Sequence, residues 1–256
     1  MKSPILTIAK YTFFEALKNR LFAIMIISLI CVFGLIEFVG ELAITESGQI
    51  QAGITALVVR LFAVFITCLF VITSMVREFN DKTLDVLLSF PVSRQTYYYA
   101  KLLGFLLLAV FIVVLVSLLL LFYADPIQVM FWSLSLLCEL LILISLCLLF
   151  LFTFGSITTA FTTVIAFYLL TRSMDSIRLI SESPLLETTS FAQAFIDFLV
   201  DAIAFVLPGL NQFARTEWLV YETGSVSDLY PVLVQTAIYT VLVSAAALFD
   251  FYRKNF

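Results

Sequence analysis

Residues 77–101 read Arg77-Glu-Phe-Asn-Asp-Lys-Thr-Leu-Asp-Val-Leu-Leu-Ser-Phe-Pro-Val-Ser-Arg-Gln-Thr-Tyr-Tyr-Tyr-Ala-Lys101. This charged island stands between two long apolar runs. Almost everything else in the first half of the chain is hydrocarbon side chain, so the island is expected to face water. The whole chain is 62% hydrophobic and 12% charged, with a mean hydropathy of +1.12. Soluble globular chains are about 45–50% apolar and about 25% charged. A water-soluble fold of this composition would expose more oily surface than solubility tolerates. The sequence therefore specifies an integral membrane protein, all-α in class. The 27 phenylalanines suit lipid-facing helices and point to no chemistry of their own.

The same composition removes several function classes. A net charge of −4 argues against a nucleic-acid binder. Histidine is absent, and with it the usual general base, the commonest metal ligand and the pH switch. Cys31, Cys68, Cys138 and Cys147 all lie inside apolar runs without short paired spacing, so they read as small buried hydrophobes rather than a zinc site or a disulfide. No G-x-x-x-x-G-K-[ST] phosphate loop occurs, and without histidine neither a zinc-protease motif nor a Ser-His-Asp triad can form. The reading is of a non-enzyme with no cofactor, no metal and no catalytic residues. No cleavable signal peptide is expected at the first apolar run, which is followed by no small-residue cleavage site.

Crossing a bilayer takes about 20 apolar residues. Six runs meet that need, near 21–39, 54–76, 102–123, 127–152, 155–171 and 231–251. The fourth and fifth are separated by no charge, and Thr153-Phe154-Gly155-Ser156 is the turn that divides them. Basic residues set the orientation. Lys2, Lys10, Lys18 and Arg20 precede the first run; Arg77, Lys82, Arg94 and Lys101 follow the second; Arg253 and Lys254 follow the last. With six spans all these clusters fall on one side, so both termini are expected in the cytoplasm.

Before the first run, residues 1–20 form an interfacial helix. Ile5, Leu6, Ala9, Phe13, Ala16 and Leu17 share one face, while Thr7, Lys10, Tyr11, Glu15, Lys18 and Asn19 share the other. Such a helix lies in the membrane interface. The alternative is a helix packed on the flank of the protein itself. Between the last two runs, residues 172–230 form an acid-rich external segment. Within it, 191–207 could pass for a seventh span. Gln193, Asp197 and Asp201 make a polar stripe that lipid would penalise, so it is expected to lie on the outer surface or to dip partway in. Pro208-Gly209 ends it, and Trp218, Tyr221 and Tyr230 are expected in the outer aromatic belt.

Three charges fall inside the spans: Glu37, Arg60 and Glu139. A mid-membrane charge costs roughly 2.5–3.5 kcal/mol on insertion scales, so such residues usually face protein or water. Glu37 and Arg60 sit at similar depths in adjacent runs and are expected to pair, or to line a substrate path. Glu139 has no evident basic partner. It is left to bond hydroxyls such as Ser133, Ser135 or Ser145, or to line a central path.

Within the island, Asn80 or Asp81 can cap a helix start. Leu84, Leu87 and Leu88 then make one apolar stripe, with Asp81, Lys82, Asp85 and Ser89 largely off it. Pro91 ends this short helix, and Ser93 can cap the next, with Tyr97–Tyr99 and Lys101 placed at the interface. The plainer reading is a polar loop with snorkelling basic side chains.

This stretch also resembles the signature region of type-2 ABC transporter permeases, the membrane subunits of ATP-driven exporters. The resemblance is carried by Arg77-Glu78, Thr83-Leu84-Asp85, Leu87-Leu88-Ser89, Pro91-Val92-Ser93-Arg94 and Lys101, in that order. Lys82 replaces the usual glycine and Asp85 the usual glutamate. The layout of the whole chain agrees: one permease domain over 1–256, with six transmembrane helices, an N-terminal interfacial helix and an outer helical segment between spans five and six. The resemblance implies an ABC ATPase partner in two copies, and a second permease copy or a related permease. It also implies a bacterial inner-membrane location and a cytoplasmic coupling region over 77–101. There Asp81, Lys82, Thr83, Leu84, Asp85, Leu87, Leu88, Ser89, Pro91 and Arg94 would meet the ATPase. The interfacial helix, with Lys10, Phe13, Leu17 and Lys18, would seat against the ATPase as well. Two rivals stand beside it. A non-transporting membrane scaffold would show a dry interface between copies, where a permease would place Glu139, Thr158, Thr159, Thr162 and Thr163. A secondary transporter would need inverted halves, which the sequence lacks.

Overall fold

Two helix boundaries expected from the sequence, at Ser93 and at 153–156, are present, and Asp125 supplies a further one. Asp125 accepts from the backbone N–H groups of Ile127 and Gln128 at 2.9 and 3.4 Å, with Pro126 filling the first helical position. Ser93 Oγ accepts from Thr96 N at 3.1 Å and so starts its helix as the sequence predicts. The turn expected at 153–156 is present. Gly155 adopts φ 71°, the left-handed conformation that closes a helix, and its N–H donates to Leu151 O at 2.9 Å.

The computed structural model describes residues 4–42, 47–81, 93–182 and 191–253. Nine α-helices occur among them: α1 (Pro4–Lys18), α2 (Arg20–Leu42), α3 (Ser47–Asn80), α4 (Arg94–Leu120), α5 (Pro126–Phe154), α6 (Ile157–Glu182), α7 (Phe191–Val206), α8 (Thr216–Tyr221) and α9 (Val226–Arg253). A 3-10 turn spans Leu210–Gln212, and no strand is found among the described residues. Five helices, α3 to α6 and α9, are long and apolar enough to cross a membrane. The pair α1–α2, bent by 57°, adds a sixth. The chain is an all-α, multi-pass membrane protein.

Helix α5 is the axis of the bundle. It touches α3, α4, α6, α8 and α9, and Leu140, Ile142, Leu143, Ile144, Leu148 and Leu151 on it are fully buried. Its apolar residues run all the way round because neighbours cover most of it, and the remaining strip, with Met130 and Leu134, is exposed. By contrast α2 and α9 turn Ile27, Ile30, Leu35, Val241 and Leu242 outwards, as helices facing hydrocarbon do.

Several expectations need correction. Helix α1 packs on the protein flank against α4 through Ala9, Thr12 and Ala16, and Leu6 points outwards. Small residues win this face because α1 and α4 approach closely: a Cβ on Gly104 would meet Thr12 Cβ at 2.8 Å and Ala9 O at 3.0 Å. Helix α6 does not stop at Thr171 but continues to Glu182, so Arg172 lies on a helix. Helix α9 begins at Val226, with Pro231 inside it. Cys31 is exposed, while Cys68, Cys138 and Cys147 are buried as read, and all four are free.

The region after α7 departs furthest from the expected surface segment. Leu210, Phe213, Ala214, Trp218 and Leu219 are buried, and the chain from Pro208 to Arg215 turns back among α3, α5 and α6. Trp218 is therefore a core residue packed inside the bundle, whereas Tyr221 and Tyr230 are exposed. Aromatic content alone does not separate a belt residue from the anchor of an inserted loop.

Candidate functional site

Two polar constellations stand out in this apolar bundle, one at each end of α3. The first lies at the base, where α1, the end of α3, the start of α4 and the end of α9 meet. Helix α3 runs past the expected span end at Val76 to Asn80, which carries Glu78 onto the buried face continued from Val71 and Met75. Glu78 Oε1 pairs with the Lys101 ammonium. Its Oε2 accepts from Tyr97 OH at 2.6 Å, and Lys101 Nζ donates to Thr12 Oγ1 at 3.0 Å. All four residues are buried.

The expectation that the whole island faces water fails at these residues. A charge can leave water when a partner and further hydrogen bonds replace its hydration, and here α1, α3 and α4 each supply one. Hydropathy at positions 78, 97 and 101 carries no sign of this. The 71–75–78 continuation of the buried stripe on α3 was the available signal.

Two further contacts complete the base. Arg94 Nη1 donates to Phe251 O at 2.6 Å and to Tyr252 O at 3.4 Å, and its guanidinium lies 5.5 Å from the centre of the Phe251 ring. Arg94 thus binds the last turn of α9, where free carbonyls attract a cation. Arg77 lies 3.5 Å from Glu15 on α1 and 3.8 Å from Asp81. Asp81 itself closes α3 through its N–H to Arg77 O at 2.9 Å. The other expected contact residues, Lys82, Thr83, Leu84, Asp85, Leu87, Leu88, Ser89 and Pro91, lie outside the described residues. Lys10 and Lys18 on α1 are exposed, and Phe13 and Leu17 are half-buried, with the Phe13 ring edge-on to Phe111 at 6.2 Å.

The second constellation surrounds the inserted loop. Ala214 O accepts from Arg60 Nη1 and from Trp132 Nε1, both at 3.0 Å, and Ala214 N donates to Ser135 Oγ at 2.9 Å. Arg172 Nη1 donates to Phe213 O at 3.0 Å and also to Leu210 O. Further along, Gln128 bonds in both directions with the loop, donating to Glu222 O at 3.2 Å and accepting from Gly224 N at 3.0 Å. A non-helical backbone inside a bundle needs such partners, since its carbonyls and N–H groups have no water. This explains why Arg60 sits deep in an apolar helix.

The pairing expected between Glu37 and Arg60 is not formed. Glu37 is exposed and accepts from Tyr123 OH at 2.6 Å, while Arg60 faces the loop. Depth along neighbouring helices made the pair plausible, but rotational phase sends the two side chains to different neighbours. Glu139 does have basic neighbours. Arg172 Nη1 is 3.8 Å from Oε1, and Arg60 is within electrostatic reach. Ser133 is engaged with Ser117, Ser135 with Ala214, and Ser145 with Leu141 O, so the expected hydroxyl partners serve elsewhere. Glu139 is fully buried, hence it faces no interface between copies. Thr158, Thr159 and Thr162 are exposed on α6. Arg172 was the residue missed altogether. It follows Ala160, Val164 and Tyr168 on the buried stripe of α6, which was its sequence signal. No cluster of metal-ligating residues occurs among the described residues.

A bundle of apolar spanning helices with a bonded base and an inserted loop defines a polytopic membrane protein. The comparison with protein families is more particular. Residues 42–167, which include the charged island, match the family described as ABC-2 family transporter protein. No curated protein matches the chain.

Proposed function

We propose that this chain is the membrane-spanning permease subunit of an ATP-driven ABC exporter in a bacterial inner membrane. Both termini are cytoplasmic in this reading. A separate ATPase, in two copies, hydrolyses ATP and docks on residues 82–92. A second permease copy, or a related permease, completes the transport path. ATP-driven closure of the ATPase pair moves 83–89 and switches that path.

The observation that best supports the reading is the bonded base. Residues 82–92 leave α3 beside Glu78 and enter α4 beside Arg94 and Lys101. Those anchors in turn hold α1 and the end of α9. A segment with floppy flanks would absorb a push from a partner. One whose flanks are joined by buried charge-assisted bonds passes displacement to four helices together. The absence of a phosphate-binding loop in the chain fits an ATPase supplied by a partner.

The test is reconstitution in lipid with an ATPase encoded beside this chain. Copurification, and ATP hydrolysis that depends on the permease, are the expected results. An ATPase that neither binds nor responds removes the coupling reading. Binding without movement of any cargo leaves the non-transporting scaffold.

A further inference from the structure

The half of α9 away from the base is not covered by a packed helix along one flank. Between it and the end of α7 runs a cleft of about 780 Å³. Tyr239 OH donates to Val206 O at 3.1 Å and ties the end of α7 to α9 there. Phe205, Val206, Val234, Ile238 and Leu242 form the apolar walls. All five are exposed, and because α9 is a spanning helix what they meet is hydrocarbon.

Two carboxamides interrupt this lining. Gln235 lies half-buried on α9, and Gln212 comes from the 3-10 turn that follows α7. Both reach towards Gly209. A Cβ on that glycine would lie 3.6 Å from Gln235 Nε2, 4.0 Å from Gln212 Nε2 and 3.3 Å from Asn211 Oδ1. Gly209 has φ −73°, which any residue adopts, so the backbone does not require glycine here. What glycine contributes is a space ringed by three amide groups. The side chains of Gln212 and Gln235 have no hydrogen-bond partner among the described residues. An amide facing an apolar setting without a partner is costly, and a polar side chain on a spanning helix ordinarily has a use. A mostly apolar cleft with a few convergent polar groups is the usual form of a small-molecule site.

We propose that this cleft binds a bilayer lipid with an uncharged, hydroxyl-bearing head, of the class of a glycosylated diacylglycerol. A hydroxyl donates and accepts at once, which suits carboxamides that offer both N–H donors and a carbonyl acceptor. No charged side chain lines the cleft among the described residues. A phosphate or ammonium head would therefore leave water without a counter-charge. The head lies at Gly209 between Gln212 and Gln235. An apolar chain runs from there past Ile238 to Leu242, along about 10 Å of α9. Binding at this flank requires neither the ATPase nor the export reading.

The test is quenching of a tryptophan in the cleft by lipids with brominated chains. Ile238→Trp places the reporter beside the chain, and Leu35→Trp, exposed on α2, is the control. Each variant is reconstituted in phosphatidylcholine with a small, equal fraction of one brominated lipid: monoglucosyl diacylglycerol, phosphatidylcholine or phosphatidylglycerol. Trp132 and Trp218 are buried, and the parent chain supplies their background. At Ile238→Trp the glucolipid is expected to bind roughly fivefold or more tightly than phosphatidylcholine, the ratio two hydrogen bonds give. Phosphatidylglycerol should do no better than phosphatidylcholine, and Leu35→Trp should show no preference. Gln235→Leu removes one amide, and Gly209→Ala fills the head space while keeping both glutamines; each is expected to abolish the preference. Equal quenching by all three lipids at Ile238→Trp overturns the proposal. So does a preference that survives both substitutions, or one for phosphatidylglycerol, which would assign the cleft to an anionic lipid. Leu242→Trp, at the far end of the cleft, is a second reporter against blockage by the bulk at 238, and the same ratio decides.

Discussion

The Lys101 ammonium and the Glu78 carboxylate form a buried ion pair across the mouth of the segment that joins α3 to α4. Tyr97 and Thr12 take up the remaining capacity of the pair. Removing one charge leaves the other buried and uncompensated, at a cost of about 3–5 kcal/mol. Lys101→Met is therefore expected to lower the unfolding midpoint in detergent sharply. Glu78→Gln combined with Lys101→Met should lose less than Lys101→Met alone. A double variant no more stable than the single one would show that the pair does not act as a unit.

Gly104 is a contact that only glycine permits. A Cβ there would lie within 3.0 Å of Ala9 O and closer still to Thr12 Cβ, and backbone cannot step aside as a flexible side chain does. Gly104→Ala is expected to cost about 1–3 kcal/mol through overpacking and to lift α1 off α4. Protease cleavage within 4–18 should then rise in the folded, membrane-inserted chain. Unchanged protection of α1 would contradict the close packing.

Arg94 seals the last turn of α9 from the start of α4. Arg94→Ala is expected to release that turn, raising amide exchange over 248–253 by an amount equivalent to roughly 1–3 kcal/mol. Arg94→Lys should restore part of the protection, since an ammonium still meets free carbonyls but cannot reproduce the planar fork. Exchange that ignores both substitutions would remove Arg94 from the base.

Charge reversal within 82–92 tests the proposed function directly. Lys82→Glu and Asp85→Lys are expected to uncouple ATP hydrolysis in the partner from cargo movement, with the permease itself as stable as the parent. The measurement is hydrolysis and transport in the same proteoliposomes. Transport that follows hydrolysis unchanged would place the ATPase contact elsewhere.

The sequence by itself determined the class of this protein. Its hydropathy left only a membrane solution, and Ser93, Asp125, Pro126 and Gly155 ended or began helices where local chemistry demands it. The family match falls over the same island that carries the motif. These features are local, so they could be read locally. The tertiary structure alone decided which charges meet. Spacing gave the depth of Glu37 and Arg60, but rotation about each helix axis sent them to Tyr123 and Ala214. It also decided that residues 207–215 insert rather than lie outside. Insertion is stable only because Arg60, Trp132, Ser135 and Arg172, from three helices distant in sequence, replace the water their backbone gave up. No single stretch contains that set of partners. It exists only once α3, α5 and α6 are side by side.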